Sequence, residues 1–226
     1  METKEKKGLK KIEIPKYSLS EELLNAISHG VGALLSIAAL VLCVVLSAKH
    51  HNAYAVVSSA IYGATSIILY IMSTLYHSLK VNNGKRVFRI IDHCTIFLLI
   101  AGTFTPYCLV SLRSYSKALG WTMFGIIWAS AIVGITLTAV NLNKFKKLGM
   151  ILYLVMGWAI IFAFKGIWVT VPKKGILLLF AGGLFYTIGS IIYGLGKKHK
   201  YMHSIFHFLV LIASVMFFFS IFFYVI

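Results

Sequence analysis

Seven apolar runs, each close to the length of one membrane crossing, alternate with short basic breaks along this chain. They fall at about 27–48, 55–78, 89–112, 118–140, 149–168, 175–196 and 203–225, and a helix needs about 20 residues to cross a bilayer core. The pattern predicts an all-α polytopic membrane protein with seven transmembrane helices. Ser18 and Glu21 stand at capping-box spacing, so the first helix is expected to start there and run into the membrane. Residues 1–25 read as a basic tail with an interfacial helix start, and 26–226 as a single seven-helix domain. The tail is Lys-rich and no small-residue cleavage site follows the first apolar run, which does not fit a cleavable signal.

Composition agrees: 226 residues are 59% hydrophobic, beyond what a soluble domain carries. Charge adds direction. Of 22 Lys and Arg, sixteen lie in the tail and in the breaks after the second, fourth and sixth runs. The positive-inside rule then puts the N-terminus in the cytoplasm and the C-terminus outside. The net charge of +16 sits in clusters between apolar runs, which suits loops facing anionic lipid headgroups and argues against nucleic acid. Cys43, Cys94 and Cys108 all fall in apolar runs and read as small buried hydrophobes rather than a disulfide framework.

Asp92 is the only acidic residue after Glu22, and a carboxylate in a lipid-spanning helix is costly unless something receives it. His77 ends the second run, Asp92 opens the third, and His203 and His207 open the seventh. With the direction fixed by Lys and Arg alone, three helices bring these four side chains to one depth, near the cytoplasmic surface. His203-x-x-x-His207 places two imidazoles on one helix face. His77 would add a third nitrogen, and three protein ligands with one open position are the arrangement of catalytic zinc. Asp92 would hold a water there, the ion offsetting its burial. Ser73, one turn before His77, would orient the imidazole or stabilise an oxyanion. Spacing alone also admits a plainer reading, in which His77 caps its helix end and Asp92 is an N-cap or pairs with Arg89. His29 reads as part of a polar cluster at the helix start or as a residue behind the ligands. His93, about 100° round the helix from Asp92, is not expected to share its target. His50, His51 and His199 read as solvated loop residues. Gly102-Thr103-Phe104-Thr105-Pro106 predicts a kink that opens a cavity, and Gly182, Gly183, Gly189 and Gly194 a small-residue packing face.

Several of these pieces occur together and in order: Glu22-x-x-Asn25-x-x-x-His29, Ser73-x-x-x-His77, Asp92-His93, AGTFTP at 101–106, YLVMGW at 153–158, GGLFYTIG at 182–189 and His203-x-x-x-His207. In them the chain resembles the hemolysin III family of bacterial membrane proteins, within the progestin and adiponectin receptor family. The resemblance implies a seven-helix protein of the plasma membrane, its N-terminus inside. It implies zinc on His77, His203 and His207 near the cytoplasmic leaflet, with Asp92 and Ser73 beside it. Alkaline ceramidases in the wider superfamily suggest zinc-dependent hydrolysis of a lipid amide or ester. A non-enzymatic sensor of membrane lipids with structural zinc is the alternative. A cytolytic pore, as the family name suggests, fits less well with one intramembrane acid.

Overall fold

The structure is a computed structural model that describes residues 12–195 and 199–226, and its regular elements are all helical. Lys4, Lys6, Lys7, Lys10, Lys11, Lys197 and Lys198, which weigh in the charge balance, lie outside these residues.

Polar caps start the helices where the apolar pattern places them. Helix α1 (Leu19–Lys49) opens on the expected capping box, with the Ser18 N–H on Glu21 Oε2 at 2.9 Å and the Glu21 N–H on Ser18 Oγ at 3.4 Å. Helices α2 (Ala53–Ser78) and α3 (Asn83–Pro106) start at Asn52 and Asn82. These asparagine side chains accept the N–H groups of Ala55 and Lys85 at 3.1 and 2.8 Å, satisfying donors that a helix start leaves free. Beyond Pro106 the helix widens into a π-helical stretch, Tyr107–Leu112, and a last turn, Arg113–Tyr115. The expected kink is therefore a change of pitch after the proline, which has no N–H to continue the ladder.

Helix α4 (Lys117–Trp158) continues through a 3₁₀ stretch, Ala159–Ala163, into α5 (Phe164–Thr170). Helices α6 (Lys173–Leu195) and α7 (Met202–Tyr224) follow. Among the described residues six stretches are long and apolar enough to cross a membrane, and the fourth, Lys117–Thr170, has 54 residues. Asn141 leaves the helical region within it, at φ −159° and ψ 88°. Its Oδ1 accepts the Lys144 N–H at 3.0 Å, as a cap does at a new helix start. The chain folds back at this point. A Cβ on Gly149 would stand 4.0 Å from Thr138 Oγ1, whereas a straight helix would separate positions 138 and 149 by about 16 Å. Gly134 also faces the Phe97 ring, on the other limb of the turn.

The interior is close-packed. A Cβ on Gly102 would collide with Thr65, so α2 and α3 approach through a residue that has no side chain. Gly182 faces Phe217 and Gly189 faces Phe206 on α7, whereas Gly183 meets Trp158 and Gly194 meets Met150 on α4, so the four glycines do not share one packing face. Hydroxyls pin the helices: Tyr70 donates to Ser214 and Tyr107 to Ser220, each at 2.7 Å. Trp128 and Trp158 bond Thr105 and Thr187 inside the bundle, while the exposed Trp121 and Trp168 fit interfacial anchors. Outer faces carry exposed Leu34, Val41, Ile132 and Leu177, the surface that lipid requires.

Candidate metal centre

Helix α2 ends at the cluster and α7 begins at it. His203 Nε2 lies 3.3 Å from His77 Nε2 and 3.1 Å from His207 Nε2. One ring nitrogen from each of the three lies within 4.8 Å of the others. Tetrahedral zinc with Zn–N bonds of about 2.0–2.1 Å sets its nitrogens about 3.3–3.4 Å apart, close to the two distances through His203, and three imidazoles suit that ion in chemistry.

The tautomer of His77 follows from its partner. Its Nδ1 is 2.7 Å from Glu22 Oε2. An ionised carboxylate only accepts, so Nδ1 carries the proton and Nε2 turns its lone pair to the other two rings. The other Glu22 oxygen takes the Lys85 ammonium at 2.5 Å, and Lys85 also donates to the Leu79 carbonyl at 3.0 Å. Lys85 is itself only 2% exposed, so Glu22 neutralises a buried cation and orients a buried imidazole together. Sequence reasoning did not assign this role to Glu22. The signal lay in Glu22-x-x-Asn25-x-x-x-His29, which a helix starting at Ser18 gathers on one face.

Asp92 sits well inside α3, where Asn82 supplies the cap, so the N-cap reading fails. Arg89 does not pair with it either: its Nη1 donates to the backbone carbonyl of Glu13. Asp92 instead lies near His77 and the Ser73 hydroxyl. Ser73 thus stands beside the carboxylate, while Glu22 already holds His77 Nδ1. Ser73, Asp92, His203 and His207 line one cavity.

His29 belongs here as well, and not to a separate cluster at the helix start. It is buried, its ring centroid is 3.8 Å from that of His207, and it meets Tyr70 edge-on. Neither of its nitrogens has a partner, nor do Nδ1 of His203 and of His207. The Asn25 backbone carbonyl lies beside His207 but falls short of hydrogen-bond geometry. His93 faces the same cavity as Asp92, contrary to the helical-angle argument, but stays out of the three-nitrogen cluster. His50, His51 and His199 are exposed, as expected of loop residues.

The segment before α1 covers the cluster. The Tyr17 ring stacks on His203, with centroids 5.0 Å apart and planes at 11°, and lies 5.9 Å from the His77 ring. Burial pushes its phenol well above the ordinary tyrosine range, so the ring stays neutral. Glu21 Oε1 accepts the Tyr201 N–H at 2.8 Å, tying the start of α1 to the start of α7. Tyr201 is in the left-handed region, at φ 63°, and this bond helps to hold it there.

Residues 17–218 match the family described as "Haemolysin-III related". The chain is 43% identical over 207 residues to Hemolysin-3 of Bacillus cereus, covering 92% of this chain and 93% of that one. It is 40% identical over 208 residues to the Hemolysin-3 homolog of Bacillus subtilis (strain 168), covering 92% and 96%. A more distant likeness, 26% over 210 residues, covers 89% of this chain and 83% of the human monocyte to macrophage differentiation factor. No solved structure matches it significantly.

Proposed function

The chain belongs to the haemolysin-III-related family of multi-pass bacterial plasma-membrane proteins, and on that premise we propose that it is a zinc-dependent hydrolase of a lipid amide or ester at the cytoplasmic leaflet. The observation that carries this reading is the convergence of three imidazole Nε2 atoms, one of them oriented by Glu22, beside a cavity lined by Asp92 and Ser73.

Zinc on His77, His203 and His207 would supply Lewis acidity toward a carbonyl oxygen and make water nucleophilic near neutral pH. The chain's own residues do the rest. Asp92 takes the proton from the attacking water and returns it to the leaving group. Ser73 fixes the Asp92 carboxylate, and its hydroxyl becomes available to a developing oxyanion once that carboxylate is protonated. Glu22 holds His77 in its tautomer through the cycle. Tyr17 shields the cluster from bulk water on the side where it stacks on His203.

The same reading has seven crossings, because the fold-back at Asn141 divides the long fourth stretch into two. The N-terminus is cytoplasmic and the C-terminus outside, from the Lys and Arg bias. Residues 26–226 then form the membrane domain and 1–25 its tail. Lys80, Lys144 and Lys147 form a basic rim for anionic headgroups at the end where the cluster lies.

Metal content tests the proposal. Mass spectrometry of the purified wild type should find one zinc per chain, and none in His207→Ala. Turnover of a panel of lipid amides and esters should then vanish in Asp92→Asn. Zinc without any product would favour a lipid sensor with a structural ion. No zinc in folded protein would overturn the reading. Haemolysis, which the names of the Bacillus relatives bring to mind, is checked by adding the same protein to erythrocytes.

A further inference from the structure

Arg89 is a buried cation whose hydrogen-bond partner is neutral, with Asp92 one turn along α3 as a nearby carboxylate outside salt-bridge range. It is 5% exposed, and among the described residues its one hydrogen bond is to the Glu13 carbonyl, with no carboxylate in salt-bridge range. A desolvated guanidinium is costly until an anion meets it. It lines the same cavity as Asp92 and His203, and so does Lys146, whose Nζ stands 5.0 Å from the Tyr193 ring.

Helix α3 measures the order of groups along that cavity. Arg89, Asp92, Leu99 and Phe104 all line it. Arg89 precedes Asp92 by about 4.5 Å along the axis, and Phe104 lies about 18 Å beyond Asp92. Helix α7 has the same order, with His203 and His207 first and the apolar Val210 and Phe217 beyond. One cavity thus holds a cationic end, then the carboxylate and imidazoles, then a long apolar end.

We propose that this cavity takes an acyl amphiphile whose head carries an anion, with the anion on Arg89 and Lys146, the acyl carbonyl beside Asp92, and the chain along Leu99 toward Phe104 and Phe217. This rests on the hydrolase reading for which bond is cut, and it adds the substrate class: an acylated amino acid or an acyl phosphate ester, in preference to a neutral lipid amide. The head lies on the Arg89 side of Asp92, about one turn away along α3. The anion displaces the Glu13 carbonyl from Arg89 and exchanges a neutral acceptor for a charged one, the stronger partner of a guanidinium.

Equilibrium binding to the full chain in phosphatidylcholine nanodiscs tests it, with N-palmitoylglycine, its methyl ester, oleoyl lysophosphatidate and N-acetylglycine as probes. The acid should bind more than about tenfold tighter than its ester, and Arg89→Gln should erase that preference. Arg89→Lys, which keeps the charge, and Lys146→Gln should each retain part of it, which separates loss of the charge from loss of the fold. Whichever of the palmitoyl carboxylate and the lysophosphatidate binds tighter identifies the head, and either result supports the site. N-acetylglycine should not bind, since the chain supplies the apolar contact. Equal binding of acid and ester, a preference that survives Arg89→Gln, or binding of N-acetylglycine alone would overturn the proposal. The same titration on His207→Ala keeps the two readings apart: the acid preference persists there whether or not the wild type hydrolyses anything.

Discussion

His77 donates its Nδ1 proton to Glu22 at 2.7 Å, and the other Glu22 oxygen holds Lys85 at 2.5 Å. One carboxylate from the first turn of α1 thereby sets the direction of an imidazole at the end of α2. A ligand histidine backed by a carboxylate is more basic and better aimed than one left to water. Glu22→Gln keeps the shape and removes the charge, so zinc affinity should fall by about 10–100-fold. Competition against a calibrated zinc chelator reads this directly. Unchanged affinity would mean that Glu22 serves Lys85 alone.

On the proposed reading, zinc would join α2 to α7 and bind the folded chain and not the unfolded one, so its removal should cost stability. At a free zinc concentration 100 times its dissociation constant, the ion contributes about 2.7 kcal/mol. Thermal unfolding in detergent should therefore shift downward when excess chelator is added to the wild type. His203→Ala should melt lower than the wild type and not respond to the chelator. A chelator response of the same size in both proteins would place the stabilising ion elsewhere.

His77, His203, His207 and Asp92 were legible in the sequence, because the Lys and Arg clusters mark helix ends that the fold brings together. Glu22 and His29 were harder to see. Both precede or open the first apolar run, where polar residues read as interfacial. Only the length of α1, which begins eight residues before that run, carries them to the cluster. The Ser18–Glu21 box marked that start, and the one-face spacing of Glu22, Asn25 and His29 followed from it. The surroundings of Asp92 were hidden for another reason: Ser73 was one turn from His77 on the same helix, and only the packing of α2 on α3 brings it beside Asp92. The Arg89–Glu13 contact joins residues 76 apart in sequence, and no local pattern announces it.

Tyr17 stacks on His203 through its ring, with no hydrogen bond between the two side chains among those described. The cover it provides should need the ring and not the hydroxyl. Tyr17→Ala should speed the transfer of zinc to a water-soluble chelator, whereas Tyr17→Phe should leave the rate near that of the wild type. Stopped-flow with a chromogenic chelator gives the rate. Equal rates in all three proteins would show that water reaches the cluster by another route.

The turn at Asn141 decides the topology. As one helix the stretch Lys117–Thr170 would extend about 81 Å, against a hydrocarbon core of about 30 Å. Folded at Asn141, it would make two crossings on the proposed topology, with Lys144, Lys146 and Lys147 at the bend. On the proposed topology, those three cations would hold the bend in the cytoplasm. Seven crossings put the two termini on opposite sides, whereas six would put them on the same side. Alkaline phosphatase folds only outside the cytoplasm, so its fusion after Ile226 should be active and its fusion after Asn143 inactive. Green fluorescent protein at the same two points should give the reverse. An inactive phosphatase with a fluorescent partner at Ile226 would mean that the long stretch crosses once, and the positive-inside assignment would have to be redrawn from that end.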